Sequence, residues 1–318
     1  MENEEVILAK SFAGVIRVGL CVLLLVCLAC PLAFADLAFA PFAMGGYRPF
    51  NARVWGMGGA CTALGQEADG LLANPAAVAF NEGQQVLVGM ARMNIDATLM
   101  YDSVVYPLFD DSLNEWSIAY SQCETEEGGA VLGAGIVYSN SEEFTPFLPS
   151  SASYNDLSLA IGGRSSADSP FGWGLSMDTP GGSAYFGLGA LYRNPDGLSL
   201  GLNWDDIFSD ASDSADIMTV GAAYQAAGFT AAVDVFGIAG DLIEEREILA
   251  GLEYRDKSGV ALRVGSAAGN LTYGLGFAKN GWSVDYARLT MDDSVTDGVV
   301  TITEEDDLSV ISVSYTFQ

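Results

Sequence analysis

The chain has 318 residues, 50% of them hydrophobic, a mean hydropathy of +0.27 and a formal net charge of −28. Thirteen Lys and Arg against 41 Asp and Glu exclude nucleic acid as a partner, because phosphate contacts need cations. The absence of histidine removes Ser-His-Asp and Cys-His catalysis and His-ligated zinc, so no catalytic residue, metal site or cofactor is expected.

The N-terminus reads as an export signal. Lys10 and Arg17 supply positive charge, residues 18–29 form an apolar run, and Ala33-Phe34-Ala35 has the small-x-small form of a cleavage site. Cleavage is expected after Ala35, with Ala38-Phe39-Ala40 as a second site and an uncleaved anchor helix as the alternative. Leu28-Ala29-Cys30 only weakly matches a lipobox, since Cys27 stands where an aliphatic residue is expected. Cys21, Cys27 and Cys30 leave with the signal; Cys61 and Cys123 read as two free buried thiols, with one bridge as the alternative. Residues 36–318 keep 38 acidic and 11 basic side chains, and no segment there approaches the ~20 apolar residues of a spanning helix.

Residues 36–83 form a linker and a compact helical segment rich in small residues, with few charges (Arg53, Glu67, Asp69). Residues 52–64 and 67–72 suit short helices loosened by glycines such as Gly58 and Gly59. Asn74-Pro75-Ala76 starts another, because Asn caps a helix N-terminus and Pro suits its first turn.

From about residue 85 strand patterns follow one another to the end of the chain. Phe171, Trp173, Leu175 and Met177 alternate with Gly172, Gly174 and Ser176, and Leu198, Leu200, Leu202 and Trp204 with Ser199, Gly201 and Asn203. One face carries large apolar residues; the other carries Gly, Ala, Ser and some charge, namely Asp234, Glu253, Arg255, Arg263 and Asp285. A transmembrane barrel turns the large face to lipid and keeps the polar or small one in its lumen. The reading is therefore an all-β chain whose residues 84–318 form a transmembrane antiparallel β-barrel in contact with outer-membrane lipid; a soluble sandwich is the alternative. Fifteen runs are countable: 86–94, 98–107, 115–122, 130–139, 155–164, 171–177, 184–193, 198–205, 217–225, 229–236, 247–255, 260–266, 271–278, 282–290 and 308–317. Bacterial barrels have an even number, so 14 strands are expected, with 16 as the fallback and the miscount placed before residue 155.

Tight connections at Asn194-Pro195-Asp196-Gly197, Ala226-Ala227-Gly228, Asp256-Lys257-Ser258-Gly259 and Asn280-Gly281 are hairpin turns. Longer acidic connections at 140–154, 206–216, 237–246 and 291–307 read as outer loops in strict alternation with them. Their carboxylates read as solvated, with weak divalent-cation binding as the alternative. Tyr192, Tyr224 and Tyr254 each precede a tight turn, where interfacial aromatics belong.

The series Ala52-Arg53-Val54-Trp55-Gly56-Met57-Gly58-Gly59-Ala60, Ala68-Asp69-Gly70 and Asn74-Pro75-Ala76 resembles the start of PorV/PorQ-type outer-membrane proteins, distant relatives of the FadL-type hydrophobic-compound transporters. Downstream, Leu188-Gly189-Ala190-Leu191-Tyr192-Arg193, Ala250-Gly251-Leu252-Glu253-Tyr254-Arg255 and Gly274-Leu275-Gly276-Phe277 resemble that family's strand phrases, so the likeness covers roughly residues 45–318. The resemblance implies a 14-stranded barrel with an N-terminal hatch to which Gly58, Gly59, Asn74, Pro75 and Ala76 belong. It implies passage of hydrophobic small molecules past that hatch. The other role found among PorV-like barrels is service to secreted or surface proteins through the outer loops. The chain departs from the pattern by ending on Gln318, with the aromatic one place earlier at Phe317.

Overall fold

A computed structural model describes residues 51–65, 67–81, 83–101, 104–124, 129–143, 152–179, 184–207, 217–239, 247–297 and 300–317. The expected signal segment, its cysteines and the weak lipobox lie outside these residues, as do most of 206–216 and 237–246. Fourteen strands follow one another: β1 (Gln84–Tyr101), β2 (Val104–Glu124), β3 (Val131–Glu143), β4 (Ala152–Arg164), β5 (Phe171–Asp178), β6 (Tyr185–Arg193) and β7 (Leu198–Asp205). The second half comprises β8 (Ile217–Ala226), β9 (Phe229–Ala239), β10 (Glu247–Arg255), β11 (Val260–Ala267), β12 (Asn270–Lys279), β13 (Trp282–Asp297) and β14 (Val300–Phe317). Each pairs antiparallel with its neighbours in sequence, and β1 pairs with β14 from Gln84↔Phe317 to Tyr101↔Val300, so the sheet closes into a barrel. Closure leaves no unpaired edge, the condition for β-structure in lipid.

The miscounted strand is the run 98–107. It spans the end of β1 and the start of β2, so two expected strands merge with its halves and the total falls to fourteen. Two other expectations are corrected. The segment 291–307 is largely strand: β13 and β14 continue pairing to Asp297↔Val300, so it is a long hairpin rather than a loop. Short and long connections do not alternate strictly either. β11 and β12 are joined by Ala268 and Gly269 alone, at φ 49° and 94°, on the side where long loops were expected.

Exposure decides which face is inside. On β5 Phe171, Trp173 and Leu175 are exposed while Gly172, Gly174 and Ser176 are buried, and β7 repeats the pattern. Trp173 is 45% exposed and Asp234 0%. This inversion of the soluble rule removes the sandwich reading: on these strands the large apolar side chains point outward and the inner face is small and polar. The eight strands β5–β12 run 8–11 residues, close to the ~9–11 that cross a bilayer. β1, β2, β13 and β14 run 16–21 residues and project well past that height on the side away from the tight turns.

At the tight-turn end an aromatic girdle faces out. Tyr192, Tyr224 and Tyr254 are exposed there, Phe229 stacks on Tyr254 at 4.7 Å, and Trp282, Tyr315 and Phe317 form a contiguous set. The turns obey local chemistry. Asn280 and Gly281 both take positive φ, as a two-residue hairpin turn requires, and Asp256 Oδ1 accepts from the Ser258 and Val260 amides. Among the described residues no helix is long and apolar enough to cross a membrane.

Candidate functional site

The segment before β1 lies within the ring. Its helix α1 (Ala52–Gly56) packs against β11–β14, and the 3₁₀ helix Pro75–Ala79 packs against β2–β6, on the other side of the barrel. Between them, turns at Met57–Gly59 and Thr62–Leu64 reach β7–β10, where wall glycines let the two backbones touch. Asn74 caps the 3₁₀ helix as its sequence foretold: its backbone is extended and its Oδ1 accepts from Ala76 N at 3.0 Å. The helix is 3₁₀ rather than α because it is a single short stretch ended at Phe80, too brief to set up i→i−4 bonding.

Glycines in the wall make this seat. A Cβ added to Gly251 would overlap the Met57 carbonyl, one on Gly201 the Thr62 carbonyl, and one on Gly174 the Pro75 backbone. The small inner face recognised in the sequence is therefore a contact surface for the segment's own main chain. Gly58 and Gly59 fit the same contact from the other side. Both take positive φ, at 69° and 83°, and Gly58 lies against the backbone of β10 and β11.

The polar residues expected in the lumen are all inward, and four of the five are fully buried. Glu253 is the centre. Arg53 on α1 grips it with two bonds, Nε to Oε2 at 3.0 Å and Nη2 to Oε1 at 2.9 Å. Arg263 Nε donates to Glu253 Oε2 at 2.7 Å and reaches Asp285 Oδ1 through Nη2 at 2.7 Å; the half-buried Arg255 stands 3.4 Å from Glu253. Arg53 also lies 3.5 Å from Glu67, so a single guanidinium ties two parts of the segment to β10. Burial alone would push the Arg53 pKa down, but the Glu253 and Glu67 carboxylates outweigh it and hold it above the ordinary arginine value.

Asp234 does not join this cluster. It stands on β9, where its Oδ2 accepts from the backbone amides of Cys61 and Thr62, each at 2.8 Å. Three more side chains fix the same region. Asn74 Nδ2 donates to the Thr62 and Ala190 carbonyls, Arg193 Nη2 donates to the Leu64 carbonyl, and Ser312 Oγ accepts from Ala52 N. Phe80 at the end of the segment sits between two guanidiniums, Arg164 at 4.6 Å and Arg193 at 5.0 Å from its ring centre. Cys61 and Cys123 are both buried, and neither is in a disulfide.

Arg53, Glu67, Asp69, Asn51, Arg193 and Phe80 were not among the expected site residues. One signal was available: Arg53, Glu67 and Asp69 are the charges of an otherwise apolar stretch, and a charge among small buried residues needs a partner.

The lumen is layered along its axis. Nearest the tight turns are Gln85, Glu253, Arg255, Arg263 and Asp285; Gly251 and Gly265 lie at the level of the segment; beyond it come Met93, Leu113, Leu249, Leu289 and Leu308. Those last residues form one apolar cluster with Trp55, Met57 and Leu64. A space of about 720 Å³ opens below the segment, lined by Arg53, Glu67, Glu253, Arg255 and Lys279 among others. A small cavity of about 40 Å³ lies within the segment, lined by Val54, Met57, Cys61 and Leu64 and by Asn51, Arg53, Glu67 and Asp69 among others. Among the described residues no group of three or more Cys, Asp or Glu is placed to hold a metal ion.

No protein-family model matches the sequence, and no curated protein is similar to it. Solved structures do match. The Pseudomonas putida toluene transporter TodX is similar with a TM-score of 0.61 at 15% identity, over 88% of this chain and 100% of that one. A deltaS2 mutant of TodX, described as a monoaromatic hydrocarbon channel, is similar with a TM-score of 0.62 at 15% identity, over 87% and 100%. The Ralstonia pickettii toluene transporter TbuX is similar with a TM-score of 0.50 at 12% identity, over 87% and 100%. At these identities the likeness shows the fold alone: the chain is built as a closed 14-stranded antiparallel barrel, and those proteins' structures are similar to it over most of its length.

Proposed function

We propose that the protein resides in the outer membrane and passes hydrophobic small molecules through a lumen closed by a hatch, residues 51–81. The layering of the lumen carries this reading. A packed apolar cluster (Met93, Leu113, Leu249, Leu289, Leu308) stands on the long-strand side of the hatch and a charged vestibule on the tight-turn side. A hydrophobic molecule partitions into the first and is released from the second once the hatch shifts. The hydrocarbon named for TodX and TbuX supports a small apolar compound as cargo. Residues 1–35 serve as the export signal and the tight turns face the periplasm. The 36–83 region is the linker and hatch and 84–318 the membrane barrel, with the FadL-type channels as the functional kin. Catalysis has no part in this reading.

The test is uptake of toluene into proteoliposomes. Removal of 45–83, or release of the hatch through Glu253→Gln, is expected to raise flux severalfold over the intact barrel. Equal flux with and without the hatch refutes the gate.

The projecting strands favour a second reading. β1, β2, β13 and β14 present a tall wall beyond lipid height, the place where a PorV/PorQ-like barrel would hold a secreted or surface protein. Shortening the 291–307 hairpin separates the two: lost surface retention of an exported protein with unchanged toluene flux favours this role.

A further inference from the structure

Within the hatch, residues 67–73 differ from their neighbours in how they are held. Helix α1 is bound to the wall by Glu253 and Ser312, and the 62–64 turn by Asp234 and Arg193. The polar ties of the 67–73 arm run instead to other hatch residues, while its Ala68 and Leu71 pack with Leu87, Ala119, Val137 and Ala160 of the wall. Asn51 Nδ2 donates to Glu67 Oε2 at 2.6 Å and to Asp69 Oδ1 at 2.9 Å, and Arg53 stands beside Glu67. Asn81 Nδ2 donates to the Glu67 carbonyl at 3.2 Å. One amide thus bridges two carboxyl groups at the edge of the small hatch cavity.

In the ion-pair network that Arg53 joins at the edge of that cavity, the charges are already matched before Asp69 is counted. On the hatch, Arg53 faces Glu67; from β10 come Glu253 and Arg255, from β11 Arg263, and from β13 Asp285. Three guanidiniums meet three carboxylates. Asp69, 7% exposed, is a fourth acid, and among the described residues no fourth cation joins this network; it stands next to Glu67 on the same arm. A buried carboxyl in that position favours its neutral form, by desolvation and by the like charge beside it.

We propose that Asp69 is a proton-binding site that latches the hatch: protonated, it stays buried and keeps the 67–73 arm in place, and its ionisation, which burial disfavours despite the Asn51 bond, frees the arm. The idea rests on the hatch reading above but concerns the arm rather than the cargo. Burial first, then Glu67, push the Asp69 pKa up to about 7. In a freed, hydrated arm the group returns to the ordinary value of about 4. The closed form therefore binds the proton more tightly, and its advantage is complete in acid. It is lost progressively as pH rises from about 4 to about 7, and stays lost above that. Lowering the pH shuts the latch.

Hydrogen exchange of the 65–73 peptide in the full-chain barrel in lipid nanodiscs tests this. Rates are divided by their intrinsic values, and the 171–178 strand peptide serves as reference. Protection is expected to fall by up to about tenfold per pH unit between roughly pH 4.5 and 7, then level off. Asp69→Asn is expected to stay protected at every pH. Glu67→Gln, which removes the neighbouring charge, is expected to shift the levelling-off point to lower pH. A flat wild-type profile overturns the proposal, as does an Asp69→Asn profile that keeps the slope. Toluene flux in the same preparations separates the two ideas: a slope without any flux refutes the channel and leaves the proton site standing, and flux without a slope does the reverse.

Discussion

Glu253→Gln is the most direct probe of how the hatch is held. The substitution keeps the side chain's shape and removes the anion shared by Arg53 and Arg263, at 2.9 and 2.7 Å. Glu253 is 3% exposed and the Arg263 side chain 0%, so solvent cannot replace the lost charge. Removing one partner of such a buried pair costs about 3–5 kcal/mol, most of it from the cation left without an anion. Arg53 has an escape that Arg263 lacks: if α1 leaves the wall, its guanidinium reaches the water of the vestibule. Much of the cost is therefore relieved by hatch release. A bias of about 3 kcal/mol raises the released population by roughly 150-fold. Hydrogen exchange over 52–57 is expected to lose about two orders of magnitude of protection while strand peptides of β5 and β7 stay unchanged. The double variant Arg53→Met with Glu253→Gln is expected to recover part of that loss, since one of the stranded cations is gone. Protection in Glu253→Gln within about twofold of wild type would show that Glu253 balances Arg263 alone and that glycine-lined packing holds the hatch.

Three further outcomes follow from the same contacts. Asp234→Asn leaves the Cys61 and Thr62 amides sharing one neutral acceptor, and is expected to cost about 1–3 kcal/mol, read as a lower temperature for the heat-induced gel shift of the barrel; an unchanged temperature counts against the anchor. Gly174→Val places a branched side chain where the Pro75 backbone lies, so hatch displacement is expected, with higher toluene flux or a barrel less stable by at least about 1–3 kcal/mol; normal flux together with normal stability contradicts the seat. Alkylation of the denatured, unreduced protein is expected to label both Cys61 and Cys123, and recovery of a disulfide-linked peptide pair would contradict two reduced thiols.

The wall of this barrel was readable because lipid imposes a strict rule: outward residues must be large and apolar for as long as the strand is in the membrane. Phe171, Trp173 and Leu175 obey it, and so do the eight strands whose lengths match a bilayer. Past the membrane the rule lapses while backbone pairing continues. Asp292 and Asp293 pair with Glu305 and Glu304, so a stretch that reads as an acidic loop is a hairpin. The 98–107 run misleads for the opposite reason, since Leu99, Met100 and Tyr101 before the reversal and Val104, Val105 and Tyr106 after it read as one continuous strand. Connections fail in a similar way. Ala268 and Gly269 form a two-residue turn in which only Gly is a turn former.

The site was half legible, and the missing half is a matter of distance along the chain. A charge on the small face of a strand marks the lumen by itself, which is how Asp234, Glu253, Arg263 and Asp285 stand out. Their partners do not, because Arg53 reaches Glu253 across 200 positions and Asp234 meets two backbone amides that carry no sequence signature at all. The glycines join the two halves. Gly251 stands two residues before Glu253 on the same inner face, so β10 offers the hatch a gap for the Met57 carbonyl and, one step nearer the tight turns, an anion for Arg53. The gap fixes how close the hatch comes and the anion fixes its register. Because the gap acts through shape and the anion through charge, replacing the one carboxylate is expected to loosen the segment while the wall that shaped it stays intact.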